Sequence, residues 1–290
     1  MIKRIFHLLA YFPLWLLHLF GCVAGLLVYL VSSSYRAKMI DHIEVLYPED
    51  TPRRRSILRQ SAMHSGMALF ELPYLWGRSR QKGIHRIARI EDWGLAQSVL
   101  DEGKGVLFLT PHLGSFEGTA QIFSTTAPIT VLYRPNRNPE VQQIIEASRS
   151  RDSIKLAPTN MSGVRKLLRG LKQNEAVGLL PDQVPSSGEG VWVPMFGRQA
   201  YTMTLPGALV KATGCKVLLA VGYRRAFFGI TLKFFPGPSS LSSNPAQSAL
   251  EINQAMEEII KQFPEQYYWG YERYKAPKGK PVAKQSDQPT

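Results

Sequence analysis

The sequence has little cysteine and no grouping of metal ligands. Its two cysteines, Cys22 and Cys215, are widely separated in the 290 residues, and neither belongs to a CxxC pair. The six histidines are scattered and form no HExxH motif. Structural zinc sites and disulfide frameworks need such residues at short, repeated spacings. The sequence therefore predicts two reduced, packed thiols and neither a metal site nor any other cofactor.

Acidic residues are scarce relative to basic ones. Against 35 Lys and Arg the chain has 22 Asp and Glu, which leaves a formal net charge of +13. Such an excess favours a polyanionic partner, and nucleic acid, anionic lipid and an acidic carrier protein all qualify. The charged and apolar fractions are ordinary for a folded protein. We therefore expect a sizeable core in one large or two small domains.

Charge is absent from residues 5–31, an apolar run without Asp, Glu, Lys or Arg. The run is longer than the apolar region of a signal peptide, no A-x-A-like cleavage site follows it, and it is long enough to cross a membrane. His7, Pro13 and His18 interrupt the run, which a helix tolerates near the interface or when it enters the membrane obliquely. We therefore predict a retained membrane anchor over residues 1–34.

Basic residues flank this anchor on both sides, with "MIKR" before it and "YRAK", then "PRRRSILR", after it. The larger C-terminal excess predicts a single pass with the main domain in the cytoplasm. The arginine cluster could also rest on anionic headgroups. We assign residues 35–276 to the main domain, and we expect residues 277–290, rich in Lys, Pro and Gln, to form a disordered basic tail.

Beyond the anchor, segments typical of strands and helices alternate. Short apolar runs predict strands at "ARIE", "GVLFLT", "APITVLYRP", "EAVGLLPDQ", "CKVLLAVGYRR" and "GITLKFF". One of the intervening helices has Asn138 as its N-cap and Pro139 in its first position. We also expect a helix over residues 56–76 that ends or kinks at Pro73, and a C-terminal helix broken at Pro264. The alternation predicts an α/β fold with a mixed, mostly parallel central sheet flanked by helices.

A histidine and a glutamate, His112 and Glu117, follow the strand "GVLFL" in the stretch "LTPHLGSFEG". Catalytic groups of α/β sheets gather at the carboxyl ends of strands. A histidine there can act as a general base if a carboxylate holds its other ring nitrogen. Glu117 can do so if His112 lies in the loop and Glu117 in the first helical turn, which Gly114 gives the loop freedom to arrange. A solvent-facing histidine and a glutamate stabilised by the helix dipole explain the spacing equally well.

The residues "HLGSFE" fit the H-x4-D/E signature of the glycerolipid and lysophospholipid acyltransferases. Four further stretches follow in order: "VLYRPNRNP", "GLLPDQ", "VWVPMFGRQAYT" and "PEQYYW". With them, the chain resembles the late acyltransferases of lipid A biosynthesis, the lauroyl and myristoyl transferases, over nearly its whole length. The resemblance departs near the C-terminus, where the family commonly has W-x-H-R/K-R and this chain reads "WGYER". There Tyr271 replaces the histidine and Glu272 a basic residue.

The resemblance implies a glycerolipid acyltransferase-like fold with a single membrane helix. It also implies that the protein lies at the bacterial inner membrane with its main domain facing the cytoplasm. The implied reaction moves a fatty acyl chain from acyl carrier protein to a hydroxyl of a lipid A precursor. His112 would be the general base, and Glu117 would orient it and stabilise the imidazolium that forms. The hydroxyl would attack the thioester directly, without an acyl-enzyme.

Arginines near the predicted strand ends are candidate substrate-binding residues. Arg134 could bind a phosphate bidentately, or it could be an exposed strand-end charge. Arg149 and Arg151 close a helix, where the dipole alone favours a cation. The resemblance implies that an arginine in this neighbourhood helps to build the site, without saying which. Arg198 lies in a glycine loop and could reach the anionic acceptor, or it could be a hairpin-turn charge.

Asp182 and Ser115 complete the set of candidates. Asp182 follows the strand "VGLL" beside Pro181, where it could be a turn residue, but the resemblance implies a site residue at this position. Ser115 invites a serine hydrolase reading, but "HLGSFEG" is not G-x-S-x-G and a nucleophile three residues from its base has poor triad geometry. We expect Ser115 to cap a helix instead.

Three alternatives to a lipid A acyltransferase stay open. The acceptor could be another lipid, such as a lysophospholipid or an aminolipid. A non-catalytic membrane-surface binding protein would explain the charge and the anchor, but not the placement of His112 and Glu117. A nucleic-acid binder is disfavoured, because no recognisable module accompanies the basic residues and a membrane span argues against it.

Overall fold

A computed structural model describes residues 2–77, 83–136, 138–149, 153–225 and 229–279. The helices are α1 (Ile2–Ala10), α2 (Leu14–Val31), α3 (Ser33–Glu44), α4 (Thr51–Phe70), α5 (Leu72–Gly77), α6 (Ile84–Ile87), α7 (Trp93–Asp101), α8 (Phe116–Phe123), α9 (Pro139–Arg149), α10 (Met161–Lys172), α11 (Leu205–Thr213) and α12 (Pro245–Gln262), followed by a 3-10 turn at Pro264–Gln266. The strands are β1 (Ala88–Glu91), β2 (Val106–Leu109), β3 (Ile129–Tyr133), β4 (Ile154–Pro158), β5 (Ala176–Leu179), β6 (Gly190–Met195), β7 (Arg198–Met203), β8 (Lys216–Arg224) and β9 (Ile230–Pro236).

The main sheet has the strand order β1-β9-β8-β2-β5-β3-β4. Neighbouring strands run parallel except β8 and β9, which are antiparallel. Strands β6 and β7 form a separate antiparallel hairpin. The predicted α/β class with a mixed, mostly parallel sheet is confirmed. Its central strands β2 and β5 are buried at every residue, as strands covered by helices on both faces must be.

Two apolar layers cover the faces of this sheet. The first contains Leu107 and Leu109 of β2 and receives residues of α3, α4, α10 and α12. The second contains Val106 and Phe108 of the same strand and receives residues of α5, α7, α8 and α9. Successive residues of a strand point to opposite faces, which is why one strand supplies both layers. The result is a helix–sheet–helix sandwich, with His112 and Asp182 just beyond the carboxyl ends of the central strands β2 and β5.

Most predicted boundaries agree with the structure, and the differences have local causes. Asp50 accepts a hydrogen bond from the Arg53 amide at 3.0 Å, so α4 begins before the predicted residue 56. The helix ends at Phe70, and Pro73 lies in the separate helix α5. The C-terminal helix ends before Pro264, as predicted. The edge strand β4, strands β6 and β7 and helix α11 were not predicted, although a hairpin turn at Arg198 was one of the two alternatives for that residue.

Helix α2 is, within the described residues, the one helix long and apolar enough to cross a membrane. It packs along α4 at very short range: a Cβ added at Gly25 would lie 2.1 Å from the Ala62 carbonyl oxygen, and one at Gly66 would lie 1.9 Å from that of Gly21. Small residues at such a crossing allow the two backbones to touch. The predicted tail lies outside the described residues from residue 280 onward.

Candidate active site

The loop that carries His112 joins β2 to α8, and Gly114 gives it its shape. Gly114 has a φ of +58°, which side chains other than glycine rarely adopt. A Cβ at this position would also lie 2.4 Å from the Gly222 carbonyl oxygen. The Gly114 amide donates to the Gln266 carbonyl at 2.9 Å. Gly114 therefore has the conformational role that was predicted, and a side chain at this position would also have no space.

The C-terminal stretch "PEQYYW" holds this loop from the other side. The Tyr268 amide donates to the His112 carbonyl at 3.0 Å, and Leu113 forms an isolated antiparallel bridge with Tyr267. The Gln266 side chain in turn pairs with the backbone of Arg224 through two hydrogen bonds, of 2.8 and 3.1 Å. The His112 loop is thus fixed by residues more than 100 positions away in the sequence.

Asp182 holds His112 at two points. Its Oδ1 accepts a hydrogen bond from the ring Nδ1 at 2.7 Å, and its Oδ2 accepts from the His112 backbone amide at 2.8 Å. The Asp182 side chain is buried, whereas 17 % of the His112 side chain is exposed. Because a carboxylate only accepts, Nδ1 carries the proton in the neutral ring and Nε2 is left as the basic atom.

Opposing effects set the ionisation of Asp182. Burial opposes its charge, but the adjacent His112, the two hydrogen bonds from that residue and the more distant Arg273 outweigh burial and lower the pKa of Asp182. Tyr267, also fully buried, has a pKa well above its usual value because of burial and the nearby Asp182 carboxylate. Asp182 is therefore the ionised partner in this group and the Tyr267 hydroxyl the neutral one.

The carboxylate hydrogen-bonded to the His112 ring is that of Asp182, whereas the predicted partner of the ring was Glu117. The two residues meet because they follow neighbouring parallel strands, with Leu109 of β2 in register with Leu179 of β5. Glu117 lies in the first turn of α8, as predicted, and lines the same cavities as His112. Each residue stood after a predicted strand in the sequence, but only the strand order makes these two strands neighbours.

Ser115 occupies the N-cap position of α8, as expected, yet its side chain makes no capping hydrogen bond. Its hydroxyl is fully buried and has no hydrogen-bond partner among the residues that the structure describes. The Ser115 amide donates to the Gly222 carbonyl at 2.6 Å, which fixes the start of the helix through the backbone instead. A hydroxyl so enclosed is poorly placed for attack on a substrate.

Two cavities meet at His112. The first, here called the sheet cavity, has a volume of about 330 Å³ and lies over the face of the sheet that α8 and α9 cover. Its apolar lining includes Phe108, Phe123, Ile129, Val131, Ile154 and Phe234. The second, the helix cavity, has a volume of about 400 Å³ and lies between α2, α4 and the His112 loop. His112, Phe116 and Glu117 line both.

The predicted arginines have different positions. Arg134 is exposed beyond β3 and lines the sheet cavity. Arg198 lines neither cavity; its guanidinium donates to Asp41 at 2.8 Å and stacks over the Tyr274 ring. Arg198 lies at the turn of the β6–β7 hairpin and contacts α3, which fits the hairpin-turn alternative, while the contact with the acceptor stays a prediction. The Arg149 side chain and all of Arg151 lie outside the described residues.

A buried ion pair supports the loop and was not predicted from the sequence. Arg224, the last residue of β8, donates to both oxygens of Glu71 at 2.8 and 2.7 Å and to the Gly114 carbonyl at 2.9 Å. His18 of α2 lies 3.1 Å from the same Glu71 carboxylate. Burial opposes the charge of Glu71, but Arg224 and His18 lower its pKa to about 2. Scattered single charges in apolar segments were the available clue.

Tyr271, which stands where the resemblance expects histidine, supports the Asp182 loop. Its hydroxyl accepts a hydrogen bond from the Val184 amide at 3.0 Å, two residues beyond Asp182. Arg273 is buried and donates to the Tyr201 carbonyl at 2.8 Å and to the Thr202 hydroxyl at 2.6 Å. This departure therefore replaces one hydrogen-bonding side chain by another beside the site.

The chain is similar to known proteins over most of its length. Residues 3–276 match the family model for bacterial lipid A biosynthesis acyltransferases. The lipid A biosynthesis lauroyltransferase of Escherichia coli K12 is 27 % identical over 275 residues, covering 93 % of this chain and 89 % of the relative. The palmitoleoyltransferase of the same organism is 24 % identical over 250 residues, covering 84 % and 79 %. The crystal structure of the 1-acyl-sn-glycerophosphate acyltransferase PlsC from Thermotoga maritima is 14 % identical with a TM-score of 0.37, covering 85 % of this chain and 94 % of that one.

Proposed function

Because this chain belongs to the family of bacterial lipid A biosynthesis acyltransferases, we propose that it transfers a fatty acyl chain from acyl carrier protein to a hydroxyl of a lipid A precursor. The supporting observation is the His112–Asp182 pair at the junction of two largely apolar cavities. Both the acyl donor and the lipid acceptor bring a hydrocarbon chain to the reacting atoms. Two cavities that meet at one base provide a place for each chain.

His112 acts in this proposal as the general base. Its Nε2 removes the proton of the acceptor hydroxyl while Asp182 holds the Nδ1 proton and stabilises the imidazolium. The hydroxyl oxygen attacks the thioester carbonyl, and the tetrahedral intermediate collapses by breaking its carbon–sulfur bond. The departing thiolate of the carrier then takes the proton back from the imidazolium, so that an ester and a free thiol result.

Glu117 and Arg134 stabilise the charges that develop during the reaction. Glu117 lines both cavities beside His112, so its carboxylate adds negative charge near the imidazolium as that cation forms. Arg134 lines the sheet cavity and supplies a guanidinium for the oxyanion or for an anionic group of a substrate. Arg149 and Arg151 remain predicted substrate-binding residues.

The chain's other features suit this role at the bacterial inner membrane. The net charge of +13 favours contact with anionic lipid, with the phosphates of the acceptor and with an acidic carrier protein. The apolar helix α2 provides the membrane attachment. We place the domain on the cytoplasmic side, where acyl carrier protein is available.

The test is an acyl-transfer assay with the purified full-length protein, acyl carrier proteins that bear several chain lengths, and a lipid A precursor. We expect His112→Ala to lower the rate by about 100-fold or more, because the base is lost. The exposed His85 offers a matched control, and His85→Ala should keep full activity. Substantial activity of folded, membrane-bound His112→Ala would contradict the base assignment.

The acceptor is tested separately by mass spectrometry of lipid A from cells that lack the protein. A missing secondary acyl chain supports the proposal. An unchanged lipid A profile, with transfer to a lysophospholipid or an aminolipid in the assay, would overturn the acceptor while leaving the chemistry intact. If no lipid is acylated, and if the His112→Ala and Glu117→Gln variants replace the wild type in cells without loss, the chain would be a membrane-surface binding protein.

A further inference from the structure

The sheet cavity contains a buried amide, that of Gln121 in α8. Gln121 lines this cavity, and only 3 % of the residue is exposed. Within the described residues its Nε2 atom has no hydrogen-bond partner. The neighbouring Thr119 differs, since its hydroxyl donates to the Ser115 carbonyl at 3.3 Å. A buried amide that stays unpaired is destabilising, and a ligand atom that pairs with it removes this penalty. Gln121 therefore indicates a ligand with a polar atom at this depth.

The lining around and beyond this amide is mostly apolar. The Phe108 ring lies 4.8 Å from that of Phe123 and 5.6 Å from that of Phe234, measured between centroids, and all three residues line the cavity. Ile129 and Ile154 line it as well, and they are the first residues of the parallel strands β3 and β4. Such a lining suits a long hydrocarbon chain, and the single amide suits a chain that carries one polar substituent.

The position of Gln121 along α8 gives the depth of the amide. Glu117 and Gln121 are four residues apart, so they share a face of the helix and are separated by about 6 Å along its axis. Side chains of a helix lean toward its N-terminus, which for α8 is the end nearer His112. The cavity itself follows β3 from Tyr133 to Ile129, a distance of about 13 Å. The amide therefore lies in the half of the cavity nearer His112.

We propose that the sheet cavity takes a hydroxyacyl chain from the donor, whose hydroxyl lies near the thioester carbonyl and pairs with the Gln121 amide. The inference rests on the proposed function and specifies the chemical class of its acyl donor. A hydroxyl both donates and accepts, so it can pair with either end of the amide. An unsubstituted chain leaves the buried amide unpaired, and a site of this kind discriminates against such a chain. The reacting hydroxyl of the acceptor is a different group, because it has to lie at Nε2 of His112.

The test is a competition assay with the purified full-length protein and a lipid A precursor. Acyl carrier protein is loaded either with a saturated chain or with the 3-hydroxy chain of the same length, and mass spectrometry of the product gives the ratio of the two kcat/KM values. We expect the wild type to favour the hydroxyacyl chain by about 10-fold or more. Gln121→Met removes the amide and keeps an unbranched side chain, so it should lower this ratio by about 10-fold or more.

Gln173→Met is the matched control, because Gln173 is exposed beyond the end of α10 and lines neither cavity. It should keep the wild-type ratio. A wild type that transfers the saturated chain as well as or better than the hydroxyacyl chain would overturn the inference and leave the proposed function standing, and this result needs no variant to fold. A ratio that Gln121→Met and Gln121→Leu leave unchanged would also overturn it. Transfer of neither chain to any lipid would overturn the proposed function together with the inference.

A second arm of the assay distinguishes the donor chain from a chain of the acceptor. It keeps a saturated donor and compares acceptor lipids with and without a hydroxyl on a chain that does not react. We expect no preference between these acceptors, in the wild type or in Gln121→Met. A preference for the hydroxylated acceptor that Gln121→Met abolishes would place the acceptor's chain in the sheet cavity and overturn the assignment to the donor.

Discussion

At the scale of single residues, His112 depends on Asp182 for both its tautomer and its position. Asparagine at position 182 keeps the shape of the side chain, but its amide offers one acceptor to two N–H donors. We expect Asp182→Asn to lower the transfer rate by about 100-fold or more, with a smaller effect for Glu117→Gln. Full activity of Asp182→Asn together with inactivity of Glu117→Gln would return the orienting role to Glu117.

The same substitution has a signature in stability against pH. Because the folded-state pKa of Asp182 is lowered, its charge stabilises the folded protein above the unfolded pKa of about 3.9, and this contribution disappears as the pH falls through the lower folded value. The wild type should therefore be more stable than Asp182→Asn near pH 7, and the difference should shrink toward acid. Denaturation in detergent over this pH range measures it.

Gly178 determines how much space the sheet cavity offers beneath His112. It lies in β5 between Phe108 and Val131 in the sheet register, and it lines the cavity. A Cβ there would lie 3.2 Å from Ile129 Cδ1 and 3.4 Å from Val131 Cγ1, which are ends of side chains that can shift. An added side chain is therefore accommodated at the expense of the cavity.

If the donor chain occupies the sheet cavity, Gly178→Ala and, more strongly, Gly178→Val should shift selectivity toward shorter acyl chains. Loss of burial for two methylene groups costs about 1.6 kcal/mol, roughly fifteen-fold in kcat/KM for the longest chain accepted. Competition between carrier proteins with different chains measures the shift. Gly94→Ala is the control, because Gly94 is exposed and a Cβ added there would have no described heavy atom within 4 Å apart from its chain neighbours and the backbone of its own helix. An unchanged chain profile in Gly178→Val would assign this cavity to the acceptor.

At the scale of elements, the Glu71–Arg224 pair joins the end of α4, the end of β8 and the His112 loop. Removal of Arg224 alone leaves a buried carboxylate unpaired, and we expect Arg224→Met to destabilise the protein by about 3–5 kcal/mol. The double variant Glu71→Met/Arg224→Met should lose less stability than the two single variants summed. Chemical denaturation of the four proteins measures this coupling, and additive effects would contradict it.

The same pair links α2 to the active site, because His18 contacts Glu71 and Arg224 donates to the Gly114 carbonyl. The contact of α2 with α4 also requires glycine at Gly21, Gly25 and Gly66, because a Cβ at any of these positions would clash with backbone atoms of the other helix. Helix α2 is therefore part of the support of the His112 loop. A simple tether would need neither the ion pair nor the close packing.

At the scale of the whole molecule, the sheet gathers residues that the chain separates. Strands β2 and β5 are neighbours although β3 and β4 lie between them in sequence, and this brings Asp182 to His112 across 70 positions. The 3-10 turn after α12 then reaches the loop from the C-terminal end. The exposed apolar face of α2, the helix cavity and His112 follow one another in space.

The sequence by itself determined the class of the fold, the catalytic candidate His112 and the position of most elements. These follow from local chemistry: Asn138 caps α9 through bonds to amides two and three residues away, and Pro264 ends α12 wherever that helix lies. The ordered motifs carried the resemblance for the same reason, because each is a short run of neighbouring residues.

Only the tertiary structure decided which carboxylate serves His112, what Arg198 contacts and how α2 meets the domain. Each of these depends on strand order or helix packing, which is set by the burial of apolar faces over the whole chain and not by any local spacing. Glu117 was the nearest carboxylate in sequence, and Asp182 is the hydrogen-bonded one in space because β5 lies beside β2. Residues 5–31 likewise predicted one membrane helix, whereas the structure divides them between α1 and α2 and packs both against the main domain.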